Sequence, residues 1–357
     1  MSLELVTAIV GGQRFTAFMS VSVHAAVKKA ARSFTLEVAA EGGAAASSAL
    51  FQCFTPIRIM AGSDILFTGY IDKRAPHIGP TRRDITITGR SKGADAVDCS
   101  AVHPTGNFEN KTPLDIANEL DLFGIGFSTD GELQQIPQFV LSPGMSVWRA
   151  LQRICREQGV TQSGQPDGSI KLTDPTQNTK RNGPLIQGLN IHEGTAEHDS
   201  TKRHSHVHAR GQKKAGHGDQ ALRLEKVAKD ATVPRYRPLV HLHDADTDET
   251  RLKKVAERRR DKEQGESLKC SITAIGWRDD AGALWTPGNK SWVESDFLDI
   301  RQDMLIESVE YTQHGDGDTP EGTKAHLELV DPRSYGGQKG KGDKSGSGWD
   351  QDDSDAE

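Results

Sequence analysis

The sequence predicts a mainly β (α+β) chain: two antiparallel β-barrel domains with a small α/β insert and one long surface helix. Three observations carry this. Apolar and polar residues alternate with period two near both ends of the chain. Glycine (36) and proline (15) are plentiful among the 357 residues while aromatics make up 6%, a mix that favours short strands and turns. Long helical stripes are confined to a single stretch.

Residues 1–100 read as the first barrel. Met19, Val21 and Val23 alternate with Ser20 and Ser22, and Phe34, Leu36 and Val38 with Thr35 and Glu37, so each strand has one apolar and one wet face. Ile57 and Ile59 lead through Gly62-Ser63-Asp64 into Ile65, Phe67, Gly69 and Ile71, a hairpin by its turn chemistry. Asp84–Thr88 adds a strand with Ile85 and Ile87 on one side. Six strands in about 90 residues suit a closed or nearly closed barrel. The small-residue loop Ala39–Ser48 is expected to be mobile or to face a partner.

Residues 101–184 form the α/β insert. Thr112 is placed as an N-cap, Pro113 suits the first helical position, and Leu114, Ala117 and Leu120 make a stripe. A second helix starts at Ser146, with Val147, Leu151, Ile154 and Cys155 on one face and Gly159 past its end. Pro166-Asp167-Gly168 then turns into a strand over Ser169–Thr173.

Residues 185–335 read as the second barrel, with a helical insertion at about 245–264. That helix, Thr247–Glu263, has Asp246 or Thr247 as its cap and acids in its first turn, as the helix dipole favours. Its stripe is thin (Leu252, Val255, Ala256), which puts it on a surface. Leu268–Ala274, then Trp285 with Trp292 and Val293, then Met304–Thr312 read as an antiparallel meander around the turn residues Arg278–Gly282. Ala325–Val330 is the last strand, and residues 336–357 are a flexible acidic tail without apolar pattern.

Composition narrows function. Forty-four Lys and Arg against 50 Asp and Glu leave a net charge of −6, which argues against a dedicated nucleic-acid binder. Cys53, Cys99, Cys155 and Cys270 are scattered, with no metal or disulfide spacing, and read as small buried hydrophobes in a reducing compartment. The N-terminus lacks the marks of a signal peptide, and no apolar run of about 18 residues occurs, so neither secretion by a leader nor a membrane span is expected.

Two motifs invite chemistry. Gly89-Arg90-Ser91-Lys92-Gly93 fits G-x-S-x-G and follows a strand, but a nucleophile elbow caps a buried parallel strand, whereas Asp84–Thr88 alternates. A turn leaving a barrel is the preferred reading. His204, His206 and His208 occupy alternate positions, which on a strand would put three imidazoles on one face, and His241 with His243 repeat the spacing. They are the candidate metal ligands; against them stands a solvent-facing strand or a subunit contact, and neither Cys nor carboxylate lies adjacent to complete a site. His192-Glu193 with His198 misses H-E-x-x-H by two residues. Gly337 and Gly342 have P-loop spacing, but Asp343 replaces the required Lys. Asp316-Gly317-Asp318 lacks the closing Glu of a calcium loop, and Arg258-Arg259-Arg260 is balanced by Glu257, Asp261 and Glu263. No cofactor is expected.

Strand, polar loop, strand over Ile65–Arg90 is echoed in layout by Leu305–Pro332, which suggests two related barrels. The order of segments resembles the baseplate hub family of contractile-tailed phages, of the Mu type and related to the hub part of type VI secretion spikes. The resemblance is carried by ITGRSKGADAVDCSA (Ile87–Ala101), TPLDIANEL (Thr112–Leu120), LSPGMSVWRALQRICREQGV (Leu141–Val160), AIGWRDDAGALWTPG (Ala274–Gly288) and DMLIESVEY (Asp303–Tyr311). It implies a non-enzymatic virion protein, a homotrimer whose six barrels form a near-sixfold ring between a hexameric tail tube and a trimeric central spike. Baseplate wedge and tape measure proteins are further implied neighbours, and the implied location is the tail baseplate after assembly in the host cytoplasm. The histidines and the acidic tail have no counterpart in that pattern. Two rival readings are a serine hydrolase or cell-wall-degrading tail component using Ser91, and the hub part of a type VI-like spike, which would need a fused β-helical spike.

Overall fold

In the computed structural model, which describes residues 4–39, 50–173, 180–212, 223–243, 247–314, 322–335 and 342–344, strand takes up 49% and helix 16%, so the mainly β expectation holds. The chain divides into two units: Met1–Asn182 with Thr273–Asn289 and Glu307–Leu327, and Gly183–Ile272 with Lys290–Ile306 and Glu328–Glu357.

The first unit opens with seven strands: β1 (Val6–Val10), β2 (Gln13–Phe15), β3 (Ser20–Ala26), β4 (Ser33–Ala39), β5 (Pro56–Ala61), β6 (Asp64–Ile78) and β7 (Arg83–Ser91). β1, β3 and β4 alternate strictly between inward and outward residues, as their sequences require. All ladders are antiparallel and run in the order β2-β1-β5-β6-β7-β4-β3. Among the described residues this path does not return on itself to close a barrel. Val21, Val23, Phe34, Leu36, Ile57, Ile59, Phe67 and Ile87 form its buried side. The two-residue turn Gly62-Ser63 joins β5 to β6, with Ala61 opposite Asp64. The alternation over Ile65–Ile71 marks only half of β6, because residues 72–78 pair with β7 alone and are wet on both faces. The loop Ala39–Ser48 lies, apart from Ala39, outside the described residues.

α1 (Ala94–Asp98), β8 (Asn107–Lys111), α2 (Pro113–Leu120), β9 (Phe127–Thr129), β10 (Ile136–Val140), α3 (Val147–Glu157), β11 (Thr161–Gly164) and β12 (Ile170–Thr173) follow in the same unit. Thr112 caps α2 in a reciprocal box with Asp115, and Ser146 Oγ caps α3 through the Arg149 amide. The helices meet as one core: Ala117 and Leu120 of the predicted stripe, with Ile116 buried in place of the half-buried Leu114, against Val147, Leu151, Ile154 and Cys155, closed by Phe108, Phe139, Ile170 and Leu172.

In the second unit, β13 (Leu185–Ile186) and β14 (Ile191–His198) precede a three-stranded sheet of β15 (His206–Gly211), β16 (Leu224–Lys229) and β17 (Pro238–His243), ordered β16-β15-β17. α4 (Glu249–Glu266) covers one side of that sheet through Leu252, Val255 and Ala256 against Ala209, Leu224 and Ala228. Its cap is Asp248, whose carboxylate accepts the Arg251 amide at 2.7 Å, rather than Thr247, which is buried; Asp246 lies outside the described residues.

β18 (Leu268–Ile275), β20 (Ile300–His314) and β21 (Thr323–Val330) each pass from one unit to the other, while β19 (Lys290–Ser295) and β22 (Gly342–Lys344) belong to the second. β18 lies beside β21 and β19 beside β20, so the expected meander is not formed. The intervening stretch bonds to itself instead: the Asp279 amide reaches Ala283 O, and the Trp285 amide reaches Trp277 O. Residues 308–314 of β20 pair with β3 in the first unit. In the tail, Gly342–Lys344 pairs with β20, a departure from an unstructured tail. Cys155 and Cys270 are buried, and burial pushes both thiols up to about 12; Cys53 is exposed, contrary to expectation, because it sits in the turn before β5.

Candidate functional site

Ser91 ends β7 and is 1% exposed. Its hydroxyl accepts the Arg32 amide at 3.0 Å, and the Ser91 amide donates back to Arg32 O at 2.9 Å, so it is occupied in joining two chain segments. Arg32 is itself buried, with Nε on Gly164 O (3.2 Å) and Nη1 on Leu66 O (2.9 Å). Burial lowers its guanidinium pKa, against smaller opposing contributions from Tyr311 and Asp167. The motif glycines answer to packing. A Cβ on Gly89 would lie 2.0 Å from Tyr70 O, and one on Gly93 2.2 Å from Ala30 O. G-x-S-x-G here is a place where backbones touch.

The three histidines part company. His204 precedes β15 and turns its Nδ1 to the buried Glu263 of α4 at 2.9 Å, a carboxylate also held by Arg259 at 2.9 Å. His206 and His208 lie on β15 itself, with ring centroids 6.3 Å apart. The expected single face of three imidazoles is therefore not built, because the strand begins two residues too late to include His204. His241 and His243 stand opposite Ala209 and Gly211 on the parallel neighbour β17. Among the described residues no group of three or more His, Cys, Asp or Glu is placed to hold a metal ion. Asp316–Asp318 and Gly337 lie outside the described residues. Of the arginine run, Arg259 bonds Glu263 and Arg260 bonds Asp261, the balanced helix face expected.

Two features were not singled out by motif. Arg278 gathers distant parts of the first unit: Nη2 and Nε grip Glu4 at 2.9 and 3.2 Å, Nη1 meets Asp64 at 2.7 Å, and Nη2 also reaches Ala61 O at 3.0 Å. These partners raise its already high pKa further, Glu4 most of all. Beside it Trp277, Trp285 and Tyr311 are all buried; Trp277 and Tyr311 meet edge-on at 5.6 Å, and the Tyr311 hydroxyl bonds Trp285 O. The second feature is the outward side of β3, β4, β7 and β20, lined with Ser20, Ser22, Thr35, Thr88, Thr312, Glu37 and Glu310. Ser20 bonds Glu37 at 3.1 Å and Ser22 bonds Glu310 at 2.7 Å. Only the period-two pattern signalled this surface. These arrangements fasten and present surfaces.

Comparison with known proteins gives two family matches that divide the first half of the chain. Residues 5–91 match the N-terminal domain described as Mu phage baseplate assembly protein GpP-like, and residues 93–174 the second domain described as baseplate hub protein gp44-like. The baseplate hub protein gp44 of Escherichia phage Mu is 29% identical over 321 residues, covering 85% of this chain and 82% of gp44. Among solved structures, the 43 kDa tail protein of prophage MuSo2 from Shewanella oneidensis superposes with a TM-score of 0.78 at 23% identity, over 92% of this chain and 98% of that one. The E. coli c3393 protein, described as a type VI secretion component structurally similar to the T4 tail proteins gp27 and gp5, superposes at 0.55 with 11% identity, over 88% of this chain and 73% of its own. The last two likenesses are of fold.

Proposed function

We propose that this chain, which is related over most of its length to the baseplate hub proteins of Mu-like phages, works as a trimeric adaptor within a contractile tail. The match to the Mu hub protein carries the reading. In it, the strand-rich parts of the chain before and after the α/β segment 101–184 present two similar surfaces, so three chains present six related ones. Duplication answers a mismatch of symmetry: a threefold spike cannot bond uniformly to a sixfold tube unless each subunit offers two equivalent contacts. The partners on this reading are the tube protein on one side of the ring and the central spike on the other, with wedge and tape measure proteins around them. The protein acts by assembly, in keeping with relatives that are structural components and with a Ser91 hydroxyl already engaged.

Light-scattering mass measurement of the purified protein tests this. Three chains of 38.8 kDa give about 116 kDa, the expected result, with a concentration-dependent approach to it. A mass that stays at one chain up to high concentration would overturn the trimer. Labelling by a fluorophosphonate probe that disappears in Ser91→Ala would instead revive the hydrolase reading.

A further inference from the structure

The three-stranded sheet β16-β15-β17 is covered on one side by α4. Its other side is half apolar. Because Ala209 and Ala228 point to the helix, strand alternation turns His208 and Arg210 of β15 and Val227 and Lys229 of β16 the other way. On β17, Val240 and Leu242 stand beside His208 and Arg210 in register and share that side. Tyr236 joins them, its ring edge-on to His206 at 5.1 Å between centroids. Val227 is 43% exposed, Val240 49%, Leu242 67% and Tyr236 72%. Apolar residues scattered singly over a surface are ordinary, but these four gathered on one sheet face form a patch that marks a contact site.

The distribution of charge selects the partner. The middle row of the face, Val227 with His208 and Val240, carries no permanent charge. Of the charged residues around it, Arg210 and Glu225 neutralise each other, with Arg210 Nε 3.1 Å from the carboxylate, which leaves Lys229. A strongly acidic or basic partner would find little here to pair with. A second copy of the chain is a better fit: residues close to a rotation axis meet their own counterparts, so a self-contact needs a neutral centre and charges settled within each face. We propose that this face is a contact between copies of the chain, with its neutral row nearest the threefold axis and Lys229 at the rim. The proposal rests on the trimeric reading above and adds where the copies touch. Tyr236 and Leu242, the most exposed of the four apolar residues, supply most of the area to be buried.

Light scattering of the full-length protein and its variants over a range of concentrations tests this. Leu242→Ser and Val240→Lys are each expected to raise the concentration at which half the chains are trimeric by about tenfold or more, whereas Leu122→Ser, which removes a comparably exposed leucine from the first unit, leaves it unchanged. Hydroxyl-radical footprinting of the unaltered protein needs no variant to fold. Between dilute and concentrated samples Tyr236 and Leu242 are expected to lose about half their reactivity or more, while Leu122 keeps its own. A three-chain mass with Tyr236 and Leu242 still fully reactive, or with both β17 variants assembling as well as Leu122→Ser, overturns this face and leaves the trimer standing. A mass of one chain at every concentration overturns both.

Discussion

Among the described residues, Arg278 concentrates more hydrogen bonds than any motif residue, although in sequence it passes as a polar turn residue. A lysine keeps the charge but not the fork that spans Glu4, Asp64 and Ala61 O. Because the partners are partly exposed, Arg278→Ala is expected to cost about 1–2 kcal/mol, with Arg278→Lys recovering less than half, read from urea midpoints at constant slope. Gly89 has no such tolerance. With a Cβ 2.0 Å from Tyr70 O, Gly89→Ala is expected to yield no soluble folded protein, whereas Gly131→Ala, with open space around it, should express normally. His24 supplies a pH effect. Burial lowers its pKa below the ordinary 6.5, helped by Lys29 and opposed by Glu310. The fold thus prefers neutral His24, so its contribution is complete above pH 6.5 and is lost as pH falls through the lowered folded value. Unfolding free energy should drop between pH 7 and pH 5, and His24→Gln should flatten part of that slope.

At the scale of elements, the caps were legible because they rest on local chemistry. Thr112 with Pro113 and Asp115 makes α2 readable without its neighbours, and Thr112→Ala should cost about 0.5–2 kcal/mol by thermal melting. The α3 stripe and the β5–β6 turn were legible for the same reason. What escaped the sequence depended on tertiary company. β2 and the outer half of β6 have no alternation, since neither has a buried face to impose one. The meander was misread because period two says that a strand exists and nothing about which strand lies beside it. The histidines show another limit: alternate spacing says which residues share a face only within a strand, and β15 starts at His206, so His204 lies before it.

Taken whole, the chain is not cut into domains at simple boundaries. The first unit is completed by residues 273–289 and 307–327, which bring Arg278, the Trp277–Tyr311 pair and the strand partner of β3. A fragment ending at Asn182 should therefore be insoluble or lack cooperative melting, despite containing both matched family domains, and adding residues 273–327 in one polypeptide should improve it.

The pairing of β3 with residues 308–314 of β20 also sets a clock. During translation at about 5–20 residues per second, β3 leaves the ribosome roughly 15–60 s before the strand that will cover its edge. For that interval the nascent chain carries an open hydrogen-bonding rim, and in a cell crowded with sister copies in synthesis the rim invites pairing with the wrong molecule. Holdase chaperones engaging the first two hundred residues would protect the yield more than any aid given after release.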